Sequence, residues 1–232
     1  MSEDQQGWFC QRTDLVAVTL RGKDVMPLLQ SKLSADTRKW RLRGGGYSVA
    51  TDINGKTLFD GAFTFGGDHV IAVMQRAMAQ PAMEHLDRYI IMEDVVMSLG
   101  EQAIFRTSPS VAALFGSDAA SPDAESPSAP TSVTLGADVL SFLDPGPVAG
   151  AAEWVLLADA ADAPAVSEAL TAVGLREHTL EDRERHEVAA AIPRLGRDFF
   201  VDQTIPLEAG VWNGLSLSKG CYLGQEVLER MF

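Results

Sequence analysis

Two extended runs flank Asn54-Gly55, Tyr47 to Thr51 before it and Thr57 to Phe65 after it. Asn-Gly accepts the positive φ angles of a tight two-residue turn, and the second run alternates through Leu58, Asp60, Ala62 and Thr64. The stretch therefore reads as a β-hairpin, and the fold must hold an antiparallel sheet. Ala50 to Thr57 also spells AxxxxGKT, close to a phosphate-binding loop. Ala50 stands where that motif has its first glycine, and a strand pattern follows Thr57 where the motif needs a helix N-terminus, so nucleotide hydrolysis is set aside.

Around this hairpin, strand and helix patterns alternate. Leu15 to Leu20 reads as a strand, and Asp24 as the N-cap of a helix to about Leu33, with Pro27 tolerated in its first turn. His69 to Met74 is a further strand. Arg76 to Tyr89 is an amphipathic helix with Met78, Met83, Leu86 and Tyr89 on its apolar side, kinked or restarted at Pro81. Asp94 to Leu99 and Gln102 to Arg106 are strands, and Ser108-Pro109 opens a short helix ending at Gly116. Residues 117–132 are rich in Ser, Ala, Pro and acid, with no large apolar side chain, and read as a linker or loop. Beyond it, Val133 to Leu143 and Glu153 to Ala158 form strands, Asp162-Ala163-Pro164 caps a helix closed by Gly174, and Leu180 to Ala191 is helical. The expected class is α+β, with an N-terminal module over 1–116 and a second over 133–232.

The balance of residues bounds what such a chain does. With 46% hydrophobic and 22% charged residues among 232, it can build a sizeable core. A net charge of -13 argues against broad binding to nucleic acid or to anionic membranes, both of which need excess Lys and Arg. The polar N-terminus carries no secretory pattern and no run of ~18 apolar residues offers a membrane span, so a cytoplasmic location is expected. Cys10 and Cys221 make neither a disulfide framework nor a metal knuckle. The only dense basic run is Arg38, Lys39, Arg41 and Arg43, with Trp40 among them. It reads either as an anion patch with a stacking face or as a solvated loop with Trp40 tucked onto the core.

The most chemical stretch is Lys219-Gly220-Cys221-Tyr222-Leu223-Gly224-Gln225-Glu226. The thiolate is the reactive form of cysteine, and a neighbouring cation or helix N-terminus favours it. Lys219 offers the first, and a short helix after Gly224 the second. The alternative is a buried cysteine packed as a small hydrophobe between a strand at Leu215 to Leu217 and that helix.

KGCYLGQE, preceded by IPLEAG at 205–210 and IPRLGRD at 192–198, resembles the signature of the YgfZ family, folate-binding proteins of iron–sulfur cluster maintenance related to the aminomethyltransferase of the glycine cleavage system. RGKDVMPLLQSKLSAD at 21–36 resembles the family's first segment, with Ser34-Ala35-Asp36 where relatives read Thr-Asn-Asp. The resemblance implies two mixed modules packed around a central cleft that takes tetrahydrofolate, with iron–sulfur proteins as clients and indirect support of tRNA modification. Relatives carry a C-terminal β-barrel after this motif, and the chain stops at Phe232, so the barrel is expected to be absent.

By the same resemblance, Cys221 is the acting thiol tuned by Lys219, and Tyr222 or Trp212 stacks on the ligand. Gln225, Glu226 and Arg230 order the motif. NGKTLFDGAF resembles the segment where the transferases carry an aspartate pair, of which Asp60 remains and Phe59 replaces the other; read by itself, Asp60 is equally a half-exposed strand residue. The pterin-holding glutamate of the pattern R-I-E-A-G-I-P falls on Ala189, which moves that job to Glu187 or Glu208. His186 reads as a surface residue. Rival readings are a folate-dependent aminomethyltransferase, which requires the acid pair and that glutamate, and a scaffold that kept the fold without the ligand. A lone cysteine does not hold a cluster that ordinarily takes four thiolates, so no resident metal is expected.

Overall fold

The computed structural model describes residues 7–40, 44–109 and 130–231. Beyond Pro109 the expected helix to Gly116, Arg41, Arg43 and most of the 117–132 linker lie outside them; Thr131 and Ser132 open a strand. In chain order the elements are β1 (Trp8–Gln11), β2 (Leu15–Arg21), α1 (Val25–Lys32), β3 (Gly45–Thr51), β4 (Thr57–Phe65), β5 (His69–Gln75), α2 (Arg76–Asp87), β6 (Val96–Leu99) and β7 (Ala103–Thr107). There follow β8 (Thr131–Thr134), β9 (Asp138–Asp144), β10 (Glu153–Ala158), α3 (Ala163–Ala172), β11 (Arg176–Glu177), α4 (Leu180–Ala189) and α5 (Gln225–Met231). The expected class is observed. Pro81 lies inside α2 without dividing it, and Leu215 to Leu217 is an irregular bend rather than a strand. Its backbone has no strand partner to complete a ladder; Ser216 N donates to Ser34 O instead.

Among the described residues two sheets form, in the orders β3-β4-β5-β2-β6 and β11-β1-β7-β10-β9-β8. They draw on the chain differently from a split into 1–116 and 133–232. The second sheet recruits β1 and β7 from the first stretch, while the KGCYLGQE segment packs against β3, the hairpin turn that follows it and α1. Alternation along each strand sorts the side chains into layers. On the first sheet Val16, Val18, Leu20, Phe59, Phe63 and Met74 face α1 and α2. Phe9, Phe105, Trp154 and Leu156 of the second face α3. Leu15, Ala17, Ala62, Ile71 and Val73 of one sheet meet Ile104, Phe142, Val155 and Leu157 of the other. The layers are thus helix, sheet, sheet, helix, and β10 is buried on both faces.

The tail closes the first sheet as a clasp. Thr51 Oγ1 donates to Leu223 O at 2.5 Å. Gly224 lies at φ 80, and a Cβ there would come within 2.5 Å of Asp52 O and 2.7 Å of Gly55 Cα. Gly55, at φ 75 in the hairpin turn, is in turn covered by Val227 of α5. The positive φ and the steric clash oppose any side chain at 224. Gly224→Ala is expected to lower stability by about 2–3 kcal/mol in urea denaturation, from the strained backbone and the displaced hairpin; an unchanged midpoint would show that the clasp contributes nothing to the fold.

Candidate functional site

At one end the face between the sheets changes from hydrocarbon to charge. Continuing the alternation of the inter-sheet positions leads from Ala62 to Asp60 on β4, from Ile104 to Arg106 on β7, from Phe142 to Asp144 on β9 and from Val155 to Glu153 on β10. These groups line a cavity of about 100 Å³ with Tyr47, Arg12, Arg183, Glu187 and the segment Ile192 to Leu195. Tyr47 Oη donates to Asp60 Oδ2 at 2.6 Å across neighbouring strands. Arg106 pairs with Asp144 at 2.5 Å, and the other Asp144 oxygen accepts from Gly146 N at 2.9 Å. Burial pushes the Asp60 carboxyl up to about 6; the Tyr47 hydrogen bond works against that and the nearby Asp144 charge adds to it. Burial together with the Asp60 charge holds the Tyr47 phenol well above its ordinary value.

Phe59 points away from this cavity, into the layer beneath α1 and α2. Adjacent residues of a strand face opposite sides, so of an acid pair on β4 only one member can reach the cleft. The replacement at Phe59 therefore removes no carboxylate from it.

α4 contributes the deepest charges. Its N-terminus is fixed by a capping box: Thr179 Oγ1 accepts from Asp182 N, and Asp182 Oδ2 accepts from Thr179 N. Arg183 and Glu187, four residues apart, share its inward face, and both are almost fully buried. Glu187 Oε1 faces Arg12 Nη1 at 3.2 Å and Arg183 Nη2 at 3.7 Å. Its Oε2 faces Arg197 Nη1 at 3.1 Å and Arg194 Nη1 at 3.7 Å. Asp14 accepts from Arg12 at 2.8 Å and from Arg194 at 2.5 Å, and Glu153 from Arg183 at 2.5 Å. Of the two glutamates offered for the pterin role, Glu187 stands in the cleft. Glu208 does not: it caps Ile205 N at 2.9 Å, with Lys56 at 4.0 Å. Ala189 is exposed on α4, and Ala191, at φ 52, takes a left-handed turn just beyond it.

The KGCYLGQE residues are elsewhere. Lys219 is buried, and its ammonium donates to Gln30 O at 2.6 Å, Ala35 O at 2.9 Å and Leu33 O, closing the C-terminal end of α1. The expectation that it tunes the thiol is corrected: those three carbonyls occupy its donors. Burial draws the ammonium down to about 8. Tyr222 does not face the cleft but packs with Leu207 and Leu228. Gln225 Nε2 donates to Glu229 at 2.7 Å, while Glu226 and Arg230 are exposed on α5. Trp212 is half exposed, its N donating to Pro147 O at 3.1 Å. Cys221 is an exposed free thiol, and Cys10 a buried one that burial pushes up to about 11.

A second cavity of about 620 Å³ adjoins the first through Tyr47 and the turn at Pro145 to Pro147, and Lys39 and Trp40 are among its walls. Trp40 is buried and stacks on Phe63 with centroids 5.0 Å apart, so it is tucked onto the core; Arg38 pairs with Asp36 at 2.7 Å. Cys221, Trp212, Gln225, Glu226 and Arg230 line neither cavity. Asp52 to Lys56 forms the hairpin turn and Thr57 starts β4, so AxxxxGKT is no phosphate loop here. Asp14, Arg12, Arg183 and Arg194 escaped the sequence reading; the only local signal was the i,i+4 pair behind a capping threonine.

No family profile matches the chain. Over 78 residues, 33% of its length, it is 37% identical to the tRNA-modifying protein YgfZ of Vibrio vulnificus strain CMCP6, and it is 36% identical to that of strain YJ016 over an equal span. Those matches span 24% of each relative's own length. In fold the chain is similar to the glycine cleavage system aminomethyltransferase T from Bartonella henselae, with a TM-score of 0.72 and 17% identity, over 97% of this chain and 63% of that one. The sequence resemblance to YgfZ thus has named relatives behind it, and the architecture is that of the aminomethyltransferase. No helix among the described residues is long and apolar enough to cross a membrane.

Two outcomes are expected from this geometry. With iodoacetamide, Cys221 is modified in the native protein well before Cys10, and Lys219→Met leaves that rate unchanged while lowering stability by about 3 kcal/mol through the orphaned carbonyls; a slower Cys221 reaction in Lys219→Met would restore the lysine as a tuning group. Asp60 titrates near pH 6 in the fold, against 3.8 as its ordinary value. Its native carboxyl then holds a proton that the unfolded chain has released, so stability falls as pH rises from about 4 to 6. Asp60→Asn removes that part of the slope in pH-dependent denaturation.

Proposed function

We propose that this chain is a folate-binding accessory protein of iron–sulfur cluster maintenance that holds tetrahydrofolate in the cleft between its sheets. The observation carrying the reading is the convergence of two carboxylates, Asp60 and Glu187, with Tyr47 on one inter-sheet cavity. The 2-amino-4-oxopyrimidine edge of a pterin presents parallel N–H donors, and a buried carboxylate is their natural acceptor. A carboxyl titrating near neutrality beside the ring suits a ligand whose nitrogens gain and lose protons. The residue set therefore fits the ring chemically. Pockets for ligands of this size usually span roughly 300–1,000 Å³. The inner cavity alone is about 100 Å³, and the adjoining one of about 620 Å³, with Lys39 on its wall, gives room for the remaining arm and its acidic tail.

Bound there, tetrahydrofolate supplies nitrogens able to carry a one-carbon unit, and the chain's own residues orient the ring and shield it from water. Cys221, exposed and apart from the cleft, is the group that would meet client iron–sulfur proteins, with tRNA modification supported indirectly; the name of the Vibrio relatives speaks for the tRNA part alone. Two free thiols suit a reducing cytoplasm.

Calorimetric titration with tetrahydrofolate tests the reading. Saturable binding is expected for the wild type, weakened at least about tenfold in Asp60→Ala and in Glu187→Gln, the loss of one charge-assisted contact. Absence of saturable heat at millimolar ligand would overturn it.

A further inference from the structure

The inner cavity, about 100 Å³, falls short of the roughly 300–1,000 Å³ usual for ligand pockets, so a lining group that moves aside would help a ring to enter. Tyr47, Asp60, Val73, Arg106 and Glu153 are fixed on strands and Glu187 on a helix. Arg194 differs from them. It lies outside any helix or strand, on a short strap between Ala191 at φ 52 and Gly196 at φ 85, and its side chain is 26% exposed. Its guanidinium bridges two carboxylates, with Nη2 2.5 Å from Asp14 and Nη1 3.7 Å from the outer oxygen of Glu187. The strap itself is anchored by buried Leu195, whose carbonyl accepts from Gln75 Nε2, so the side chain can leave without the backbone.

A guanidinium and the amino-pyrimidine edge of a pterin share one pattern, an N–C–N unit with parallel N–H donors in a plane. We propose that Arg194 is the gate of the cleft: hydrogen-bonded to Asp14 and 3.7 Å from Glu187, it fills the space beside that carboxylate where the ligand's edge would lie, and swings toward solvent when a ligand bearing that edge enters. The inference rests on the folate reading and adds its specificity and its closed state. Glu187 keeps Arg12, Arg183 and Arg197 after Arg194 leaves, and Asp14 keeps Arg12, so opening strands no buried charge. A gate closed in the resting protein lowers apparent affinity by the fraction of open molecules, and removing the guanidinium returns that factor.

The test titrates wild type, Arg194→Met and Arg194→Ala with pterin, with lumazine, which carries an oxo group in place of the 2-amino group, and with tetrahydrofolate. Circular dichroism and thermal melting identify which variants are folded, and Met keeps the apolar stem should Ala fail. Pterin and tetrahydrofolate are expected to bind the variants roughly five- to tenfold tighter than wild type, with lumazine weak throughout. Wild-type binding that is equal to or tighter than that of the folded variants would overturn the gate while leaving the folate reading standing, as would lumazine gaining as much as pterin. Binding of neither pterin nor tetrahydrofolate to any of the proteins would remove the folate reading and the gate with it.

Discussion

A carboxylate buried between two sheets has to be neutralised, and the neutralisation of Glu187 organises this protein. Its cations come from the turn after β1, from α4 itself and from the strap that follows α4. Breaking a buried pair costs several kcal/mol because the remaining charge is stranded, so these segments are held in register by electrostatics where hydrocarbon is lacking. α4 needs this: its buried positions are Arg183 and Glu187. An amphipathic helix would have sealed the end of the sandwich with apolar side chains. A charged one leaves a polar recess in which a ligand's donors can compete for an acceptor.

The recess is also a product of strand alternation. The inter-sheet face is apolar from Leu15 through Leu157, and it turns polar at the strand ends that carry Asp60, Arg106, Asp144 and Glu153. Such a gradient supplies a rigid floor and a reactive rim in one layer, and the tyrosine of β3 ties the rim to the larger cavity beside it. The clasp at the tail serves the same sheet from its other side, capping α1 with an ammonium and holding the hairpin turn by close approach of two glycines. A segment that reads as an active site is, in its lysine and tyrosine, a device for closing the fold, with only its thiol turned outward.

What was legible in the residues follows the range of the interactions. The hairpin about Asn54-Gly55, the strand Glu153 to Ala158 and the helix after Asp162 rest on local turn chemistry, apolar runs and a proline in the first helical turn, and all three elements form; Asp162 precedes its helix as expected, but its side chain makes no capping hydrogen bond. Lys219 reads as a partner of Cys221, its neighbour in sequence, whereas its hydrogen-bond partners, Gln30, Leu33 and Ala35, are more than 180 residues away. Leu215 to Leu217 looks like a strand in isolation but has no neighbour to complete its ladder. Asp60 could be singled out from its segment, but not its tyrosine. Glu187 could be named only as a substitute, since the arginines that bury it come from three places in the chain.

The interleaving of the sheets sets an order on vectorial synthesis. All five strands of the first sheet lie within Leu15 to Leu99, so that sheet can close as soon as this stretch leaves the ribosome. The second begins with β1 near the start of the chain, yet β1 takes its outer neighbour from Arg176–Glu177 and joins the rest through β7 and β10. β1 must therefore wait for β11, made well over a hundred residues later, and contacts of such long sequence separation form slowly. Until they do, Phe9 and Phe105 lack the α3 layer that covers them, so the apolar surface left open during synthesis belongs to the second sheet rather than the first.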